Sequence, residues 1–484
     1  VAEQSLTQRV RSGVFWTAAS SFLTQCLALG RSIVLARLLS RDSFGLFEMA
    51  ATILGALSVL TNLSLDGSVI ADQSDNDAET TLRLNTIWTV DLGRRFLLTL
   101  LLLASVYPTA RFYGEPRLVR LLPIFSLIPL VEGLRNIGLL WLRKQVRFAR
   151  IAWYDQTCNL IFTVVTIALA WWTRNVWALV VGQLVSSTLN VLLSYAFYRY
   201  RPRFAFDPAS FRRAFHFGKY ILLTGVADYV MTTADNILVG RLLGASVLGA
   251  YWLAYSMANI PVQALGGGLS SVLFPAYAEV GQQSQERLAR VVVRVVEISS
   301  VLLVLVVVPM ALLADELPRL LYGAKWSLVG PLLRILIFQG LFQGLIFSLY
   351  PLLIGLNRPD LSGKIQPLEA VLFLVLLYPL TVRFGAAGAA WAAVIVSAVT
   401  FFNRYRFCRM LVPQAGRRIP GILCTALLAG AGGWLAGQFL LHFVASALLR
   451  ILVGGTISLS VTALLLLGMK PGLLREVRET LRRS

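Results

Sequence analysis

Histidine and cysteine are almost missing from this chain of 484 residues, which has two of the first and four of the second. The histidines, His216 and His442, lie far apart, and Cys26, Cys158, Cys408 and Cys424 show no Cys-x-x-Cys spacing. Metal centres and disulfide frameworks are therefore excluded as organising features. No glycine-rich loop leads into Lys-Ser or Lys-Thr, which excludes ATP hydrolysis by the P-loop route. Charge is scarce too, at 14% of residues, where a soluble domain carries about 25%. Acidic residues are the rarer sign, 24 against 44 Lys and Arg, leaving a net charge of +20. Hydrophobic residues fill 57% of the chain, too many for a disordered segment or a water-soluble core of this size. Runs such as 96–106, 301–313 and 371–380 are continuously apolar rather than alternating, so they read as helices and not as barrel strands.

A membrane-crossing helix needs about 20 apolar residues. Apolar runs between charged or Pro/Gly-rich breaks give about fourteen such spans, among them 14–39, 44–68, 216–241, 246–272, 365–382 and 386–407. The fold class expected is an all-α polytopic membrane protein. Segment 118–141 is interrupted by Pro123, Pro129, Glu132 and Arg135. Basic clusters at Arg143–Arg150, Arg199–Arg213, Arg404–Arg418 and beyond Lys470 all fall on one side of this layout. By the positive-inside rule both termini are expected in the cytoplasm, and the charge excess points to anionic lipids rather than nucleic acid. The acidic loop Asp72–Glu79 falls on the same side, and the first span reads as uncleaved. The tail Leu473–Arg483 reads as a basic amphipathic helix on the membrane surface.

An internal repeat is visible without gaps. Ile33–Phe47 matches Ile237–Tyr251 at an offset of 204 residues, pairing Arg37 with Arg241, Leu38–Leu39 with Leu242–Leu243, and Gly45 with Gly249. A second echo pairs Val176–Ser186 with Ala387–Ser397. An even number of spans separates the first pair, so both copies enter the membrane in the same direction. The expected plan is two parallel, pseudo-symmetric six-helix lobes, residues 1–200 and 201–412, with two C-terminal helices and a basic tail at 413–484. Such repeats are a recurring plan for secondary transporters, with the substrate path between the halves.

Short motifs in order along the chain carry a family resemblance. They are Gly13-Val14-Phe15-Trp16, Leu35-Ala36-Arg37-Leu38-Leu39, Phe44-Gly45-Leu46, Gly114-Glu115-Pro116, Trp177-Ala178-Leu179-Val180, Phe217-Gly218, Leu273-Phe274-Pro275-Ala276 and Gly323-Ala324-Lys325-Trp326. Over residues 5–412 the chain resembles the Wzx-type oligosaccharide flippases of the multidrug/oligosaccharidyl-lipid/polysaccharide exporter superfamily. The resemblance implies alternating access between two six-helix lobes. It implies movement of an isoprenoid-pyrophosphate-linked oligosaccharide from the cytoplasmic to the periplasmic leaflet of a bacterial inner membrane. Polysaccharide polymerase and export machinery are the implied partners. A cation-coupled drug exporter of the same superfamily is the rival reading. An enzyme is not expected, since no external connection is long enough to house clustered catalytic acids.

Polar residues inside spans mark the candidate pathway, because a charge at mid-membrane costs about 2.5–3.5 kcal/mol on insertion scales. Thr17, Ser20, Thr24 and Arg31 share one face of the first helix, and Thr224, Asp228, Thr232 and Asp235 share one face of the seventh. The 204-residue offset sets Thr24 against Asp228 and Arg31 against Asp235. Arg31 is expected to hold either Asp235 or the substrate's pyrophosphate, since a guanidinium fork suits both. Asp228 or Asp235 is the expected site of a coupling proton or sodium ion, and no other cofactor is expected. The related lipid-precursor flippases carry an Arg-Asp pair where this chain has Arg31–Ser32, so their coupling scheme does not transfer directly. Tyr251, Tyr255, Asn259 and Gln263 recur every four residues, suiting either a sugar or a neighbouring helix. Glu48, Thr52 and Gly55 extend the candidate lining. Asp91 with Arg94 and Arg95, Glu132 with Arg135, and Arg294 with Glu297 are spaced to neutralise each other locally. A single chain holds both repeats, so a monomer is expected.

Overall fold

The computed structural model describes residues 6–62, 77–144, 148–444, 446 and 449–469. The central acidic loop residues and the amphipathic tail expected at 473–483 lie outside the described residues. Among the described residues the chain is helical without strands. Ten helices are long and apolar enough to cross a membrane, or eleven when the bent pair Thr81–Ala104 and Val106–Tyr113 is taken as one span. The chain is a multi-pass membrane protein. The sequence gives more runs than this partly because 365–382 and 386–407 join in one 53-residue helix, Pro359–Leu411, interrupted at Gly385. Segment 118–141 breaks into the short helices Leu118–Phe125 and Leu127–Gly133 and a turn before Leu139–Lys144.

Two compact units form, Val1–Trp252 with Gln366–Gly385, and Leu253–Ile365 with Ala386–Ser484. The first begins with α1 (Leu6–Leu38) and α2 (Arg41–Thr61). Next come α3 (Asp77–Ala104), α4 (Val106–Tyr113), α5 (Leu118–Phe125), α6 (Leu127–Gly133) and α7 (Leu139–Lys144). Helices α8 (Phe148–Thr173), α9 (Trp177–Phe197) and the long α10 (Pro208–Ala258) as far as Trp252 follow, and residues 366–385 of a later helix complete the unit. Gly114 closes α4 in the left-handed region at φ 68°, the reason for glycine in the Gly-Glu-Pro motif. Helix α10 turns a corner at Gly244, where φ is 81° and ψ 173°. The repeat-equivalent corner is Ser40, φ −79° and ψ 162°, whose hydroxyl caps α2 by accepting from the Ser43 N–H.

An extended segment, residues 198–207, follows α9 and is held down along its length. Asn85 Oδ1 accepts from Tyr200 Oη at 2.8 Å and from the Arg203 N–H at 3.0 Å. The Thr89 and Thr86 hydroxyls accept from the Ala205 and Asp207 N–H groups at 3.2 and 3.1 Å. From the other side Asn136 Nδ2 donates to the carbonyls of Tyr198 and Tyr200 at 2.7 and 2.9 Å. A strand-like segment with no partner strand thus finds its hydrogen bonds on helix side chains. Arg199, Arg201 and Arg203 alternate along the strap with exposed side chains, and Phe204 is 76% exposed. Asn136→Ala strands the Tyr200 carbonyl and the Gly138 N–H that Asn136 Oδ1 accepts, and leaves the Tyr198 carbonyl with only the Tyr200 N–H. It is expected to cost about 1–3 kcal/mol, read as a lowered unfolding temperature of the purified protein.

The polar groups inside α3 and α6 partly follow the sequence pattern. Asp91 holds Arg94 at 2.7 Å and Arg95 at 2.8 Å, as spacing predicts. Glu132 does not pair with Arg135. It takes Arg95 from the neighbouring helix at 3.0 Å and the Ser187 hydroxyl at 3.3 Å. The reason is local, since α6 ends at Gly133 and Arg135 lies beyond the helix on which three-residue pairing depends.

In the second unit α11 (Ile260–Gln283), α12 (Gln285–Leu312), α13 (Glu316–Tyr322), α14 (Val329–Gly355), α15 (Pro359–Leu411) apart from its residues 366–385, α16 (Pro413–Leu441) and α17 (Gly455–Met469) follow in order. Close approach is set by small residues: Gly344 of α14 sits on Leu303 of α12, and Gly430 of α16 on Val304. Tyr277 is buried and donates to the Ser348 carbonyl at 3.3 Å. Trp326 of the Gly-Ala-Lys-Trp motif is wholly buried beneath Tyr322. Arg294 and Glu297 pair at 3.4 Å as expected.

Candidate functional site

Two polar clusters arise within the first unit, and the expected site residues divide between them. The first lies where α1 meets α8. Gln156 Nε2 donates to the Ser20 carbonyl and hydroxyl at 2.8 and 2.7 Å and to Thr24 Oγ1 at 2.9 Å. Asn159 Nδ2 reaches the same Thr24 hydroxyl at 3.4 Å. Two turns further along α1, the Arg31 guanidinium lies over the Phe162 ring, 4.2 Å from its centroid. Its Nη1 donates to Thr163 Oγ1 at 3.4 Å. The Thr163 proton is committed to the Asn159 carbonyl at 2.8 Å, so its oxygen faces Arg31 as an acceptor.

No described carboxylate forms an ion pair with Arg31. Ring stacking contributes about 0.5–2 kcal/mol, and a hydrogen bond from a charged donor about 1.5–3 kcal/mol, less at the 3.4 Å found here. Together these offset much of the cost of holding the cation in a span, yet they leave its charge uncompensated. A half-buried guanidinium on an aromatic floor, with no described carboxylate beside it, has the chemistry to take an anion. Gln156, Asn159, Phe162 and Thr163 were not among the residues singled out from the sequence. Their signal was there, a polar stripe at three- and four-residue steps inside the run 151–172.

The second cluster lies where α2 meets the two arms of α10. Asp235, 2% exposed, accepts from Tyr251 Oη at 2.7 Å and from the Asn236 N–H at 2.9 Å. Asn236 Nδ2 donates to Glu48 Oε1 at 2.9 Å. Asp235 is therefore bound to neutral donors and not to Arg31 in this conformation. Below the acids, Tyr229 Oη donates to the Thr52 carbonyl, while Thr52 Oγ1 and Tyr113 Oη share a hydrogen bond at 3.1 Å. The seam is possible because its two repeat-equivalent glycines face backbone. A Cβ on Gly45 would fall within the Ala245 carbonyl, and one on Gly249 would fall on the Arg41 carbonyl. Arg41 and Ala245 are themselves equivalent under the 204-residue offset, so the two corners pack with local two-fold symmetry.

The remaining expected residues stand apart from both clusters. Asp228 is exposed and takes Gln366 Nε2 at 3.5 Å. The four-residue stripe on the eighth span is not one surface. Tyr251 is fully buried against Asp235, Asn259 Nδ2 turns back to the Tyr255 carbonyl at 2.9 Å, and Gln263 is exposed. The four cysteines are free thiols. Among the described residues no group of three His, Cys, Asp or Glu side chains could hold a metal ion.

This architecture is that of a transporter fold. It is similar to a lipid II flippase, MurJ, in an inward closed conformation, with a TM-score of 0.77 over 95% of this chain and 99% of that one at 13% identity. It is also similar to an inward-facing multidrug resistance MATE family transporter, with a TM-score of 0.63 over 85% of this chain and 99% of the other at 15% identity. The chain belongs to the family of polysaccharide biosynthesis proteins, whose sequence profile matches residues 34–331. Lipopolysaccharide biosynthesis protein WzxC of Escherichia coli (strain K12) is 25% identical over 412 residues, covering 83% of this chain and 81% of that protein. Teichuronic acid biosynthesis protein TuaB of Bacillus subtilis (strain 168) is 24% identical over 456 residues, 93% of each chain. Succinoglycan biosynthesis transport protein ExoT of Rhizobium meliloti (strain 1021) is 26% identical over 328 residues, 68% of this chain and 65% of that protein.

Proposed function

We propose that the chain flips an isoprenoid-pyrophosphate-linked oligosaccharide from the cytoplasmic to the periplasmic leaflet, by alternating access, for surface polysaccharide synthesis. The observation that carries this reading is Arg31, a half-buried cation in a span, laid on Phe162 and without a described carboxylate partner. Pyrophosphate offers the oxygens such a fork takes in pairs. Ser20, Thr24, Gln156 and Asn159 line the neighbouring turns with amide and hydroxyl groups of the kind that bind sugar hydroxyls. Family membership and the relatives' roles in lipopolysaccharide and teichuronic acid biosynthesis support the same class of cargo. On this reading the exposed arginines of the strap, Arg199, Arg201 and Arg203, face the cytoplasmic leaflet and contact anionic headgroups. The protein works as a monomer beside a polysaccharide polymerase and export machinery.

Deleting the gene and measuring surface polysaccharide, with rescue by the wild-type chain, tests the proposal. Loss of polymer with accumulation of its lipid-linked precursor on the cytoplasmic side is the expected result. Normal polymer in a strain without a second flippase overturns it. Unchanged polymer together with greater sensitivity to cationic drugs favours the exporter reading.

A further inference from the structure

The seam between α2 and α10 holds two acids and is short of donors. Asp235 has both oxygens satisfied, one by Tyr251 Oη and one by the Asn236 N–H. Glu48 has Oε1 satisfied by Asn236 Nδ2, and no described hydrogen bond reaches its Oε2. Asn236 is 6% exposed, and its Oδ1 is buried without a partner. Buried acceptors are nearly always satisfied, and an orphan one calls for a missing donor. Other groups bearing on Glu48 do not supply it. They are Asp235 and Tyr229 from α10 and Tyr113 from α4. Both tyrosine hydroxyls are engaged with Thr52, and no described Lys, Arg or His side chain from α3 or α5, which also pack on α2, joins the cluster.

A single proton completes this arrangement. A carboxylic acid and a primary amide pair face to face through two hydrogen bonds, N–H to the acid's carbonyl oxygen and acid O–H to the amide oxygen. The first of these bonds is present at 2.9 Å, Asn236 Oδ1 is left without a donor, and a proton on Glu48 Oε2 would supply one. We propose that Glu48 is a proton-binding site that latches α2 to α10 through Asn236. The proposal rests on the reading of the chain as an alternating-access transporter, for which the proton would be the coupling ion. Proton uptake from water converts the Glu48 carboxylate to the neutral acid and closes the two-bond ring. Proton release returns a carboxylate whose Oε2 and the Asn236 Oδ1 are two acceptors with nothing between them, which loosens the seam. Asp235 stays a fixed anchor, since Tyr251 and the backbone already satisfy it.

Hydrogen–deuterium exchange of the full chain in lipid nanodiscs, at acidic and at alkaline pH, tests the latch without any transport assay. The wild type is expected to show protection of peptides from 41–61 and 224–243 at acidic pH and loss of that protection at alkaline pH. Glu48→Gln supplies a permanent N–H toward Asn236 Oδ1, so these peptides should stay protected at both pH values. Asn236→Ala keeps the acid but removes the ring, and should leave the peptides unprotected at both. If Glu48→Gln follows the wild-type pH dependence, or Asn236→Ala retains it, the latch is refuted. Sodium ions that protect the wild type at alkaline pH as well as acid does would also refute it, by making the ligand a metal cation. Because the measurement needs no cargo, its failure is separate from a failure of the gene-deletion test. A polymer-deficient deletion strain with a pH-insensitive seam removes the latch and leaves the flippase reading intact.

Discussion

Gly45→Ala is expected to be among the most damaging single changes in the protein. A methyl group there meets the Ala245 carbonyl, a backbone oxygen that no rotamer change can move away. Inserting one carbon into a packed core ordinarily costs about 1–3 kcal/mol. Here two helix corners must separate to make room, so the cost sits at or above the top of that range. Gly249→Ala meets the Arg41 carbonyl in the repeat-equivalent contact and is expected to behave alike. Gly93→Ala and Gly30→Ala are the controls, because a Cβ at either position meets nothing within 4 Å. Both lie in helices, where alanine is better than glycine by about 1 kcal/mol, so they should be neutral or slightly stabilising. Thermal unfolding of the four purified variants gives the comparison. Wild-type stability in Gly45→Ala would mean that the two corners do not pack as described.

Arg31→Ala should abolish transport while leaving the fold intact. The side chain makes one long hydrogen bond to Thr163 and a ring contact with Phe162, so little packing is lost. A hydrogen bond to a charged group contributes about 1.5–3 kcal/mol, which corresponds to a loss of roughly 10- to 150-fold in binding the anion. Arg31→Lys keeps the charge but not the planar fork that stacks on an aromatic ring and grips two oxygens. It should rescue only part of the polymer. The readout is surface polysaccharide in the deletion strain, with unfolding temperature as the parallel measurement. Full rescue by Arg31→Ala would remove this arginine from the pathway. A drop in stability equal to the drop in polymer would make it a structural residue instead.

How much of this was visible in the sequence depends on the kind of signal. Continuous apolar runs report helices directly, so the all-α membrane fold was legible. The repeat identified Gly45 and Gly249 as equivalent positions, but equivalence says nothing about contact. That the two pack against each other's corner follows only from the folded chain. Pairing of charges was legible where both partners sit on one uninterrupted helix, as in Asp91 with Arg94 and Arg95. It failed for Glu132, because the helix end at Gly133 is set by packing and not by a strong local stop signal. Arg31 was expected to hold either Asp235, its repeat equivalent of opposite charge, or the substrate's pyrophosphate. The structure gives each a neutral partner from a different helix, Tyr251 for one and Thr163 for the other. Periodicity finds a polar face, and only tertiary packing says what that face looks at.

The strap at 198–207 has a bearing on how the protein is assembled in time. Its fastenings are Asn85, Thr86, Thr89 and Asn136, all synthesised before it. A nascent chain released from the ribosome at residue 200 would carry an Asn85 amide and two threonine hydroxyls without the backbone groups they hold. One released after Asp207 would carry every fastening and its latch together. The natural place to divide the gene into two co-expressed halves is therefore just past Asp207, and not at the end of the sixth apolar run.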